Sequence, residues 1–94
     1  MLYMTVLTWT PEKRDAVIER AKKMGFEHPG VKTLGTWVES TGLRCFQLVD
    51  IPRDMDPVLS LKNNFAWNDI MRIQSLSVVE ASAMMKFLES MKKD

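Results

Sequence analysis

Cysteine and histidine are almost missing from this 94-residue chain: each occurs once, as Cys45 and His28. A lone cysteine cannot close an internal disulfide, and beside a lone histidine it cannot assemble the nitrogen and sulfur ligands of a dedicated zinc site. Cys45 sits in a strand pattern, where a buried, inert thiol is expected. Excess charge is missing too. Thirteen Lys and Arg against twelve Asp and Glu leave +1, which offers no general attraction to nucleic acid or anionic lipid. Apolar runs are only a few residues long, so no membrane-spanning helix is expected. The first strand has neither the basic start nor the small-residue cleavage site of a secretory leader, and the cytoplasm is the expected compartment. The four glycines form no phosphate-binding loop, and there is no catalytic motif or low-complexity tract.

What remains is an ordinary globular composition, 46% hydrophobic and 27% charged. One domain spanning residues 1–94 is expected, because two separate cores would each be too small for burial to offset chain entropy. A domain this small also leaves much apolar surface in water, which favours an oligomer.

The plan turns on residues 29–49. Pro29-Gly30 releases a strand holding Val31, Leu34, Trp37 and Val38, and a turn at Ser40, Thr41 and Gly42 returns the chain through Leu43, Cys45, Phe46, Leu48 and Val49, which predicts a β-hairpin. Before it, Leu2 to Trp9 alternates with apolar residues in both sets, predicting a strand covered on both faces. Thr10-Pro11 predicts a helix start, Val17, Ile18, Ala21 and Met24 follow at helical spacing, and Gly25 fits a left-handed stop with Phe26 packing back towards Ala21.

After the hairpin, Asp56-Pro57 repeats the helix-start chemistry, and Val58, Leu61 and Phe65 predict the buried face of the second helix, with Leu59 and Ala66 beside it. Alternation from Ile70 to about Leu76 predicts a fourth strand. Ser77 with Glu80 has capping-box spacing, and Ala81, Met84, Met85, Leu88 and Met91 predict a third helix running towards Lys92 and Lys93. The order is βαββαβ with an added C-terminal helix. Right-handed crossovers place two helices on one face of a four-stranded antiparallel sheet, an α+β, ferredoxin-like fold. The strands carry Trp9, Trp37, Tyr3, Leu7 and Val49 beyond what two short helices need, so the bare face would leave an apolar patch in water. A homodimer through the open sheet face is therefore expected, with the Met-rich third helix packing across the dimer.

Met1-Leu2-Tyr3-Met4, the segment from Pro29-Gly30-Val31-Lys32 to Leu34-Gly35 and Trp37, the strand Phe46-Gln47-Leu48-Val49, and Trp67 with Asp69 together resemble an uncharacterised bacterial and archaeal family of domains of unknown function, grouped with the dimeric α/β barrels. The resemblance runs to about Glu80. It implies the fold and the dimer. Its superfamily spans cofactor-free oxygenases of polyketides, haem-degrading enzymes, small-lactone isomerases, stress-response barrels and amino-acid sensors, and shared fold does not choose among them.

Any general base near neutrality or haem axial ligand would have to be His28, whose loop position beside Pro29-Gly30 favours a solvated surface histidine instead. Asp50, Asp54 and Asp56 lack the glycine and distal glutamate of a calcium loop, so capping and solvation are expected of them and no metal. Trp9, Trp37 and Trp67 suit either core and dimer seam or the walls of a cavity for a small apolar or aromatic ligand. In the second case Tyr3, Arg44, Gln47, Arg72 or Gln74 would supply polar contacts, and a buried Gln47 would need partners. An RNA platform fits poorly: Leu2-Tyr3-Met4 passes for its first-strand motif, but Cys45 stands for the glycine and Leu48 for the second aromatic of the other strand.

The expected function is therefore a small-molecule-binding or interaction homodimer without catalysis or cofactor, with Tyr3, His28, Trp37, Arg44, Gln47 and Trp67 as candidate ligand contacts. The alternative is a cofactor-independent oxygenase or isomerase acting on a small aromatic or polyketide-like substrate. No nucleic-acid or membrane partner is expected.

Overall fold

Strand β1 (Leu2–Thr8) begins the chain in a computed structural model that describes residues 1–92. Its alternation sends Thr5 and Leu7, and Trp9 just beyond, into the interior. Pro11 then opens a short 3₁₀ turn, Pro11–Lys13, before helix α1 (Arg14–Met24); the Thr10 side chain makes no cap bond to the backbone, unlike the expected start. Gly25 ends α1 at φ +70°, and its N–H donates to the Ala21 carbonyl at 2.8 Å. The hairpin follows as β2 (Lys32–Val38) and β3 (Arg44–Asp50), with Gly42 at φ +77° in the turn and a bulge between Thr33 and Gly35.

Asp56 caps helix α2 (Pro57–Trp67) by accepting the Val58 N–H at 2.9 Å. Strand β4 runs Arg72–Ser77 and helix α3 runs Ala81–Met91. Ser77 stays in the strand and Glu80 precedes α3 without a side-chain cap bond, so the expected capping box does not form; Lys93 lies outside the described residues.

All neighbouring strands are antiparallel, in the order β2-β3-β1-β4, which is the ferredoxin-like sheet with an added helix. One core cluster joins Leu7 and Trp9 beside β1, Cys45 of β3, Val17 of α1, Trp67 of α2, and Ile70 and Met71, so α1 and α2 cover the same sheet face. The expected buried face of α2 is corrected. Val58, Leu61 and Phe65 are exposed, Phe65 to 68%, while Leu59, Asn63, Ala66 and Trp67 turn inward. Trp67 decides this rotation: it stacks on Phe26 with ring centroids 5.5 Å apart, and burying its large ring outweighs burying Phe65.

The opposite sheet face carries Met4, Val6, Phe46, Leu48 and Leu76, with Trp37 folded over Gly35, and none of the described elements covers it. Of the surplus residues expected there only Trp37 is found, because Trp9, Leu7 and Val49 are buried on the helix side and Tyr3 shares that side. Helix α3 buries none of its residues. The molecule measures 56 × 32 × 18 Å with a radius of gyration of 16.2 Å, against roughly 12 Å for a compact domain of this length.

Candidate functional site

A cleft of about 240 Å³ opens between the sheet and α2. Its sheet side is Thr5, Val49, Ile73 and Ser75, and α2 contributes Ser60, Asn63 and Asn64. The opening follows from side-chain size: short polar residues stand here where branched apolar ones would fill the space between sheet and helix. The hydroxyls of Thr5 and Ser75 lie 3.2 Å apart, paired across neighbouring strands. The segments before β2 and before α2 complete the wall with His28, Val31, Pro52 and Met55.

His28 is the titratable ring of the cleft. Its carbonyl accepts the Val31 N–H at 3.3 Å, closing the turn that carries the imidazole to the cleft wall. Burial pushes its pKa below the ordinary histidine value, so the ring is neutral at pH 7, with one nitrogen donating and the other accepting. Folding therefore opposes protonation, and stability held above the ordinary histidine range, near pH 6.5, is lost as pH falls through the depressed folded value. His28→Gln should remove that component. Melting temperature followed from pH 7.5 to 5 should fall less in the variant than in the parent chain, and parallel curves would refute this assignment.

The other five sequence candidates lie elsewhere. Tyr3 is half-buried on the helix side of β1, opposite Val49 and Ser77, and is not part of the cleft lining. Trp37 is 56% exposed on the uncovered sheet face, and Arg44 pairs with Glu39 at 3.5 Å. Gln47 is sealed in β3, its amide Nε2 donating to the Phe26 carbonyl at 3.1 Å and to Thr36 Oγ1 at 3.5 Å; its Oε1 has no partner among the described residues. Trp67 belongs to the core, with the Arg20 guanidinium 5.9 Å from its ring centroid. Arg20 also donates to Asp69 in a two-bond fork, at 2.6 and 3.0 Å, and to the Ala66 carbonyl at 2.8 Å. That hydrogen bonding holds the Asp69 carboxyl below the usual carboxylate range and ties α1 to the end of α2.

The acidic loop residues are divided between tasks: Asp50 Oδ1 accepts the Met1 amine at 3.0 Å, and Asp56 caps α2. Among the described residues no three His, Cys, Asp or Glu side chains gather to hold a metal ion, and no helix is long and apolar enough to cross a membrane.

A family model described as "Domain of unknown function (DUF3303)" matches residues 1–92. The chain belongs to the DUF3303 family. A comparison with curated proteins gives no match. Among solved structures the chain is similar to a formyltetrahydrofolate deformylase from Pseudomonas putida KT2440, at 12% identity and a TM-score of 0.41, over 82% of this chain and 28% of that one. The DUF3303 chain thus spans under a third of that protein's length.

Thr5, Ser75 and Asn63 of this DUF3303 domain escaped the reading of its sequence. One signal was available. Thr5 and Ser75 interrupt inward-facing rows that otherwise hold Leu7 and Ile73, and a short hydroxyl residue at the same level of two neighbouring strands leaves room beneath a helix. Asn63 had no such signal, because its inward direction depends on the rotation of α2.

Proposed function

We propose that this DUF3303 protein is a homodimeric small-molecule-binding domain whose ligand enters the cleft between the sheet and α2. The observation that carries the reading is that His28, the paired Thr5 and Ser75 hydroxyl residues and Asn63 line one cleft with Asp56, Ser60 and Asn64, the rest of its wall being Val, Ile, Met and Pro. An apolar wall with a few converging polar groups is the general character of ligand sites. The volume lies below the roughly 300–1,000 Å³ of drug-sized pockets, which selects a small ligand with one or two hydrogen-bonding groups on an apolar body. The uncovered sheet face supports the dimer, because an isolated chain would leave that apolar surface in water. With Tyr3 turned towards the helices, this face lacks the first-strand aromatic that an RNA platform uses.

The test is a titration with small aromatic and polar fragments, followed by amide and imidazole NMR signals. Fragments should shift Thr5, His28 and Ser75 with dissociation constants below about 1 mM. Ser75→Leu, which fills the cleft, should abolish those shifts while the fold persists. Flat titrations, or equal shifts in the variant, would defeat the reading.

A second reading, a cofactor-independent oxygenase or isomerase, draws on His28 alone: a neutral imidazole at the wall of a cleft is in the protonation state a general base requires. Mass spectrometry of bound compounds separates the two. Recovery unchanged supports binding, and conversion that disappears in His28→Ala supports the enzyme.

A further inference from the structure

We infer that α3 is an exchanged arm: its apolar stripe docks on the exposed flank of α2 in a second copy of this chain. The inference deepens the dimer part of the proposed function and is independent of the ligand cleft. Met84, Met85, Leu88 and Met91 give α3 a stripe at helical spacing, and all four are exposed. None of the residues of α3 is buried, and an isolated helix of this length is marginal in water, so its apolar side needs a partner surface. The same chain supplies a matching surface. Val58, Leu61 and Phe65 form an uncovered row on α2, and Leu61 and Phe65 line a broad groove of about 900 Å³ with Ile70, Met71 and Ile73 beside the start of β4.

Area favours a second copy. The chain exposes 7073 Å², whereas a compact monomer of 10.9 kDa exposes roughly 5,600 Å². The excess is larger than the roughly 800 Å² that each partner buries in a standard interface. Because stripe and groove are both present in every chain, two copies can satisfy each other reciprocally about a two-fold axis, and no foreign partner is required.

Position favours exchange over self-docking. Helix α3 leaves β4 at the sheet end where Ser77 faces Tyr3 and the Val78 N–H bonds Leu2, while the groove lies at the opposite end, beside Thr8, Trp9 and Arg72. To reach its own groove the helix must reverse within Val78–Glu80; instead it continues outward, and the molecule is 56 Å long. An arm on a short link, with its acceptor groove left open, is the arrangement of an exchanged element.

The test mixes two singly substituted chains, ¹⁵N-labelled Leu61→Cys and unlabelled Leu88→Cys, and treats them with a short bismaleimide. Both positions are exposed, so folding is preserved and far-UV circular dichroism verifies it. The native Cys45 is buried with its thiol pKa pushed up, so it does not compete. The expected product is a covalent dimer joining one chain of each mass. Exclusively like-with-like products, or no dimer, overturn the exchange, as does a purely intramolecular link in the doubly substituted chain. Light scattering separates the failures: a monomeric parent chain defeats the dimer and the arm together, whereas a dimer without the mixed product defeats the arm alone. In support, Met84→Glu with Leu88→Glu should weaken dimerisation by about tenfold or more.

Discussion

Replacing Trp67 with alanine should lower the unfolding free energy by about 3–5 kcal/mol, the range for truncating a large buried aromatic. Trp67 is 3% exposed and lies where α2 meets the sheet-side core. Truncation removes the stack on Phe26 and the ring beneath Arg20, and it empties the volume that sets the rotation of α2. The Arg20 fork to Asp69 remains, so the end of α2 stays tethered to α1 while the space beneath it is unfilled. A cavity that cannot collapse places the cost towards the upper end of the range. Small domains hold only about 5–15 kcal/mol in total, so a large share of the stability goes. Urea unfolding followed by far-UV circular dichroism measures the change. Trp37→Ala is the contrast: at 56% exposure that ring contributes little to an isolated chain, and its removal should shift monomer stability by no more than about 0.5 kcal/mol. Equal losses for the two tryptophans, measured at a dilution where the chain is monomeric, would overturn the assignment of Trp67 to the core and Trp37 to the open face.

Gln47→Glu should cost about 3–5 kcal/mol at neutral pH, the range for a buried charge left without a partner. The native amide donates to the Phe26 carbonyl and is fully enclosed in β3. A carboxylate of the same shape has no proton to donate, so it would face that carbonyl oxygen to oxygen, and none of the described ion pairs places a cation against position 47. The sign of the pH dependence follows. Burial raises the carboxyl pKa in the folded chain above its unfolded value near 4.3, so the penalty is absent below that value and grows as pH rises through the folded one. The protonated acid can donate to Phe26 again. The difference in stability between parent and variant, measured from pH 4 to 8, should therefore widen steadily. Gln47→Met, which introduces no charge but leaves the Phe26 carbonyl without its donor, should cost less, about 1–3 kcal/mol. A pH-independent difference for the glutamate variant would refute burial of this group as the cause.

Gln47 was visible in the sequence as an amide inside an apolar strand, and the need for a partner was visible with it. The partner was not. Phe26 is separated from it by 21 positions, and the bond exists only because the turn after α1 lies over β3. The cleft was less legible still, since its lining comes from three strands, one helix and two loops. His28 was singled out for its chemistry, as the only side chain titrating near neutrality, but its loop position argued for solvent. The folded chain leaves it half-buried at the cleft wall, and that partial burial is what lowers its pKa.

Short-range rules carried most of the architecture. Alternation marked β1 and β4, Pro29-Gly30 and Gly42 bounded the hairpin of β2 and β3, Gly25 ended α1, and Asp56-Pro57 began α2, because strand pleat, left-handed turns and helix caps depend on residues only a few positions apart. Two properties needed the folded chain. Val58, Leu61 and Phe65 and the set ending in Trp67 are both consistent with helical spacing, and only competition for the space beside Phe26 buries one and exposes the other. That competition also leaves the α2 flank, the open sheet face and the stripe of α3 uncovered. A sequence records which residues seek burial; which of them find it depends on the limited volume that one small core can offer.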